Sequence, residues 1–520
     1  MSTVANLHTD MAIRALSTLS LLLLLVVNGC RSDTTAPGAD SDQQAPLYLS
    51  PMLSNGHVTR ARQLARVTDL PGSDVESYAG YITVDEPDCG SNLFFWFFPA
   101  QESCEHAPLI LWLNGCTVCP IGECEHAPLI LWLNGCTVCP IGEESCEHAP
   151  LILWLNGGPY RSSMYGAIIQ HGPLQLMGTE GAEYVIPRNV TWTQHFSMLY
   201  VDNPVGAGAS FSSGGCYPQN MDDISWNLYS FLQQFFVMFA EYAEIDFYIG
   251  GQSYAGKYVP SLGYYIYTRN HDDPENYIRL RGIFIGGGFC DPETMLPELP
   301  EFMYGVGTIT DIQRRRQKEA IAEGWSKPDH NPFYPENKTH YEYLKYYMTI
   351  PNCYACTDNW DDLRKTDREY SRSDVAVENF LKRQHVARAL HIDLSQYVGF
   401  YQLDNVDRLG DEFMKGVKQE MSFLMDRYKV LYYTGNMDIV VNVRMGEAFL
   451  LSTPWSGQAA YNNSDRSPWT VGGELAGWVT RVDNFTRVIV RSAGHDVPRD
   501  QPEWALEMIR DFVHDQSTAD

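Results

Sequence analysis

A chain of 520 residues that is 44% hydrophobic and 12% aromatic can bury a large core, so a globular, soluble protein with room for a smaller second lobe is expected. Its formal charge of −27 at pH 7 speaks against nucleic acid or an anionic membrane as partner, because both reward a basic surface.

Near the amino end, Arg14 precedes an apolar stretch from Ala15 to Val27 that stops at Asn28-Gly29-Cys30. The stretch is shorter than the ~20 apolar residues of a membrane span and reads as a signal peptide over residues 1–29. Residues 30–46, polar and rich in Asp, Thr and Pro, are expected to be disordered or removed. No second apolar run approaches spanning length, so no membrane association is expected once the leader is gone. Four Asn-x-Ser/Thr sequons, at Asn189, Asn337, Asn462 and Asn484, are candidate glycosylation sites. Leader and sequons together point to the secretory pathway, ending outside the cell or in a lysosome or vacuole.

The first part of the core is expected over 47–290. Tyr78–Val84 and Asn92–Phe98 read as paired strands around a turn at Pro87-Asp88-Cys89-Gly90. Residues 104–123 are then repeated identically at 124–143, and a third, partial copy from Cys146 continues into Asn156-Gly157-Gly158-Pro159. The unit APLILWLNG has the composition of a buried central strand, and a sheet has one central slot for it, so the copies are not equivalent. Excising the stretch between the Glu-Ser-Cys runs at Glu102 and Glu144 restores an uninterrupted FFPAQESCEHAPLILWLNGGP. Residues 104–145 therefore read as a tandem-repeat insertion. The pairs Cys116-x-x-Cys119 and Cys136-x-x-Cys139 have zinc-site spacing, but that spacing follows from copying one CxxC, and the expected compartment is oxidising. No metal and no cofactor are expected. Outside the repeat and Cys30, an even set remains: Cys89, Cys146, Cys216, Cys290, Cys353 and Cys356. Its pairing is left open by the sequence.

Further along, Ser197–Asp202 reads as a strand and Asn220–Tyr242 as a helix, after which DFYIGGQSYAGKYVP, from Asp246 to Pro260, reads as strand, sharp turn and helix. Such a turn exposes Ser253 at the carboxyl edge of a parallel sheet as a candidate nucleophile. The fit to the general G-x-S-x-G elbow is imperfect, because Ala255 stands where its second glycine belongs. Residues 291–402 change to a charged, helix-prone texture and read as an inserted, largely helical cap. The core resumes over 403–520, with strands in Tyr428–Val441 and Thr486–Ser492 and a closing helix from Glu503 to His514. Those strands deliver Asp438 and His495 just past their ends, where ligands gather in open α/β sheets.

The order Ser253, Asp438, His495 is that of α/β-hydrolase triads, in which histidine takes the serine proton and the acid orients the imidazole. The predicted fold class is α/β: a mostly parallel central sheet flanked by helices, with the cap inserted. The runs NLFFWFFPAQ, LILWLNGGP, VDNPVGAGASF, GGQSYAGKYVP, YTGNMDIVVN and AGHDVPRDQP resemble the serine carboxypeptidases of the α/β-hydrolase fold, and among them the vitellogenic-like carboxypeptidases most. The resemblance implies Ser253 as nucleophile, His495 as base, Asp438 as its orienter and the Gly158 and Tyr254 N–H groups as oxyanion hole. The implied reaction is release of a carboxy-terminal amino acid from peptides or protein C-termini through an acyl-enzyme.

Two departures qualify this. The family recognises the substrate's carboxylate with an asparagine, here Asn156, and two glutamates, at positions held here by Gln170 and Gln252. Glutamine donates an N–H at every pH, so recognition is expected to persist without acid dependence. Tyr160-Arg161 stands where the family has small residues, and Arg161 has two readings, a partner for the substrate carboxylate or an outward-facing side chain. The alternative function is a secreted, catalytically impaired binding or storage protein, supported by these departures and by a repeat able to keep the third copy from its slot.

Overall fold

The computed structural model describes residues 46–84, 89–101, 149–178, 181–325, 367–400, 408–409 and 412–514, with short backbone pieces at 109–110 and 132–133. The expectations for the leader, for residues 30–45, for Asn337 and for the CxxC cysteines lie outside these residues.

Eleven strands form the main sheet: β1 Tyr78–Thr83, β2 Ser91–Phe98, β3 Leu151–Leu155, β4 Ser197–Val201, β5 Phe211–Ser212, β6 Phe247–Gln252, β7 Leu280–Gly286, β8 Lys429–Gly435, β9 Ser467–Val471, β10 Glu474–Val482 and β11 Phe485–Val490. Their spatial order is β1-β2-β4-β3-β6-β7-β8-β11-β10-β9, with β5 on β2. The six strands from β4 to β11 run parallel, and antiparallel pairs close both edges.

Alternation of side chains across the pleat divides each central strand between two cores. In β3, Leu151, Leu153 and Leu155 enter one apolar cluster and Ile152 and Trp154 the other. The same division in β4, β6 and β7 explains why these strands are apolar throughout: both faces are covered. The third copy of LILWL thus holds the central slot between β4 and β6. From the first two copies, Leu109–Ile110 and Trp132–Leu133 form a separate two-stranded pair.

Helices Met221–Met238 (α1) and Ala255–Asp272 (α2) flank the sheet. The N-terminus of α1 is capped by the Asn220 side chain, with Asp222 and Asp223 in its first turn, where carboxylates oppose the positive end of the helix dipole. Between β7 and β8 the described chain contains helices and no strand, including Asp311–Trp325 (α3) and Asp367–Leu381 (α4). Helix α5, Pro502–His514, closes the fold. Among the described residues no helix is long and apolar enough to cross a membrane.

Cys89 and Cys216 form a disulfide, whereas Cys290 is a buried free thiol. The hairpin β9–β10 escaped the sequence reading, although Gly472-Gly473 between alternating residues marks such a turn.

Candidate active site

The site lies at the carboxyl ends of the parallel strands. Leaving β6, the chain turns sharply at Ser253, whose φ of +63° is costly for a residue with a Cβ. The turn is fixed from three sides: Ser253 N donates to Gly286 O at 2.9 Å, while Ser253 O accepts from Phe289 N at 2.9 Å and Gly256 N at 2.8 Å. The strained elbow therefore forms with alanine at 255.

Asp438, past the end of β8, is fully buried. Its Oδ1 accepts from the N–H groups of Val440 and Val441 at 2.8 and 2.9 Å, and its Oδ2 lies 2.8 Å from His495 Nδ1. A carboxylate oxygen accepts, so this contact places the imidazole proton on Nδ1 and leaves Nε2 as the basic nitrogen. Asp438 and His495 meet beside Gly287, the residue after Gly286, whose carbonyl accepts from Ser253 N. A Cβ built on Gly287 would lie 2.8 Å from Asp438 Oδ2 and 3.0 Å from His495 Nδ1. Gly287 was not recognised in the sequence, because the contacts that require it come from distant strands.

The turn after β3 packs against the elbow from the other side. A Cβ on Gly157 would come within 2.5 Å of Tyr254 N and 2.6 Å of Gln252 O, so only glycine permits this approach. It brings the Gly158 and Tyr254 backbones together, and neither N–H has an acceptor among the described residues.

Asn156 is set by its Oδ1, which accepts from Trp154 Nε1 and Gly166 N, both at 3.0 Å. Its Nδ2 then donates to Gln170 Oε1 at 3.1 Å. Gln170 closes a π-helical turn, Gly166–Gln170, a local distortion frequent at functional sites. Both N–H donors of Gln170 are committed, one to Gln252 Oε1 and one to Asp496 Oδ1 at 2.7 Å. Gln252 likewise donates to His495 O at 2.7 Å and to Asp496 Oδ1 at 2.8 Å.

Asp496 is thus a member of the site that sequence reasoning missed. It is buried, and Tyr165 OH donates to its Oδ2 at 2.5 Å. Burial pushes its carboxyl up, but Arg161, Arg499 and the hydrogen bonds from Tyr165 and Gln252 outweigh burial and hold it below its ordinary range. The two glutamines expected to free recognition from acid dependence thus lie against a carboxylate that stays charged through the mildly acidic range.

Arg161 is not outward-facing. It donates to Asp374 of α4 at 2.6 Å, is 13% exposed at its side chain, and lies 3.8 Å from the centre of the Tyr165 ring. Arg499 NH1 donates to Tyr165 OH at 3.3 Å. Of the sequons, Asn189, Asn462 and Asn484 are exposed.

The serine carboxypeptidase family model matches residues 68–120 and 142–515. The chain belongs to the serine carboxypeptidase family. The match breaks inside the repeated segment and resumes ahead of β3. The probable serine carboxypeptidase CPVL of Mus musculus is 33% identical over 513 residues, covering 96% of each chain. The vitellogenic carboxypeptidase of Aedes aegypti is 31% identical, covering 92% of each. The crystal structure of a prohormone-processing carboxypeptidase from Saccharomyces cerevisiae superimposes with a TM-score of 0.67 at 19% identity, covering 87% of this chain and 96% of that one, a likeness of fold. This serine carboxypeptidase therefore carries its strained serine, its Asp–His pair and its amide cluster on the fold shared with that neighbour.

Proposed function

We propose that this family member is an active serine-type carboxypeptidase that releases C-terminal amino acids from peptides. The observation that carries the reading is the buried Asp438–His495 pair held at the turn beside Ser253 in its left-handed elbow. Ser253 Oγ attacks the scissile carbonyl carbon as His495 Nε2 takes its proton, and the carbonyl oxygen becomes an oxyanion between the Gly158 and Tyr254 N–H groups. Each such donor contributes about 3–4 kcal/mol to the transition state. His495 then gives the proton to the leaving amine, and water, deprotonated by the same nitrogen, hydrolyses the acyl-enzyme. The substrate's C-terminal end is placed against Asn156, Gln170 and Gln252.

A secretory route is part of the proposal, supported by the leader-like residues 1–29, by three exposed sequon asparagines and by a disulfide suited to an oxidising compartment. An unchanged mass after enzymatic deglycosylation of the secreted protein would count against glycan attachment. The reading as an impaired binding or storage protein loses one support, since the third repeat copy holds its slot as β3. The deciding experiment follows amino-acid release from an N-blocked dipeptide at acidic and neutral pH, with Ser253→Ala as control. Turnover lost in that variant supports the peptidase. A well-folded wild-type protein that cleaves neither this dipeptide nor its carboxamide would favour the storage reading.

A further inference from the structure

Every glutamine N–H in the pocket proposed to receive the substrate's terminal carboxylate is already donated within the protein. Gln170 gives its two to Gln252 Oε1 and Asp496 Oδ1, and Gln252 gives its two to His495 O and Asp496 Oδ1. Asn156 alone keeps an amide hydrogen beyond the one it gives to Gln170. The centre of this arrangement is an anion supplied by the chain itself, since Asp496 Oδ1 accepts from both glutamines and Oδ2 accepts from Tyr165.

Among the described residues, the two cations that act on Asp496, Arg161 and Arg499, face two carboxylates, Asp496 itself and Asp374, and Arg161 is ion-paired to Asp374 at 2.6 Å. A substrate carboxylate entering here meets a fixed negative charge and donors that must first let go of Asp496. A terminal carboxamide or ester brings no charge, and its carbonyl oxygen can use the remaining Asn156 N–H.

We infer that Asp496 is a specificity-determining residue that occupies, from inside the protein, the amide donors a terminal carboxylate would use, and so turns the site towards peptides with an uncharged C-terminal end. This rests on the peptidase reading above and names the substrate class within it. Removing the charge without changing the shape restores the competition in favour of the free acid, since a neutral oxygen holds the glutamine N–H groups less tightly than a carboxylate does.

The test compares kcat/KM of the full-length protein for a matched pair, an N-blocked dipeptide with a free terminal carboxylate and the same dipeptide as its carboxamide. In wild type the carboxamide is cleaved at least as well as the acid. In Asp496→Asn the acid-to-amide ratio rises roughly 10- to 100-fold, the range spanned by one hydrogen bond to a charged group. The ratio cancels any general damage to the neighbouring His495. A ratio unchanged within about threefold in a folded variant that still cleaves the carboxamide overturns the inference and leaves the peptidase reading intact. If Asp496→Asn does not fold, the wild-type ratio decides, and preference for the free acid overturns the inference. Cleavage of neither substrate by folded wild type overturns the peptidase reading and the inference with it.

Discussion

Gly287→Ala tests the geometry of the Asp–His pair without touching any group that reacts. The substitution has two costs that the structure separates. Gly287 has φ +48°, and an L-residue in that region is strained by about 1–2 kcal/mol, which lowers stability. The added methyl would also lie 2.8 Å from Asp438 Oδ2 and 3.0 Å from His495 Nδ1, where ordinary contact begins near 3.4 Å, so one or both groups must retreat by about half an ångström. The hydrogen bond between them is charge-assisted as His495 gains its proton in the transition state, and such bonds contribute about 1.5–3 kcal/mol. Disturbing it lowers kcat roughly 10- to 100-fold, at 1.4 kcal/mol per factor of ten. Gly472→Ala is the matched control, because Gly472 has φ +58° with nothing within 4 Å of a built Cβ. It carries the same backbone strain far from any methyl contact, so it should lower Tm and leave kcat alone. The assay is dipeptide hydrolysis beside thermal unfolding for both variants. A kcat for Gly287→Ala within twofold of wild type, or an equal fall in kcat for Gly472→Ala, would refute the reasoning.

Other expectations can be checked alongside. Asp438→Asn leaves the shape of the site but presents an N–H or a neutral oxygen to His495, and kcat should fall by about three to four orders of magnitude with little change in KM; a fall below tenfold would show that Asp438 does not orient the base. Lys257, buried in α2, donates to the carbonyls of Glu412 and Phe413, and burial pulls its amine from 10.5 down to about 7. Between those values the unfolded chain holds a proton that the folded chain has released, so this group makes stability rise with pH across that window. Urea unfolding at several pH values should therefore show a positive slope that Lys257→Met flattens, and an unchanged slope would remove the assignment. Replacing Cys89 and Cys216 by serine opens a cross-link of sequence separation 127 and should cost about 2–5 kcal/mol, read as a lower denaturant midpoint; an equal midpoint would mean that the bond does not form in solution.

The sequence by itself determined the central strands, the main flanking helices and the order of the candidate triad. Apolar runs such as Leu151–Leu155 and Phe247–Ile249 had to be buried strands, because a run without polar alternation needs cover on both faces, and Ser253, Asp438 and His495 each follow such a run. Asn156, Gln170 and Gln252 were singled out only through the family resemblance, and the structure does bring them into one cluster. What the glutamines hold was not legible. Asp496 reads as an ordinary loop residue beside His495, yet its partners Gln170 and Gln252 lie 326 and 244 residues away, and hydrogen-bond partners at that separation leave no periodicity or spacing in the chain. The same holds for Gly287, whose necessity comes from Asp438 and His495 on other strands, and for Arg161, drawn inwards by Asp374 of α4. Among the described residues Cys290 has no disulfide partner, although counting had placed it in an even set, because pairing depends on which thiols folding brings within reach. Local patterns fix which segments become strands and helices. Which donors remain for a substrate is decided only when distant side chains have satisfied one another.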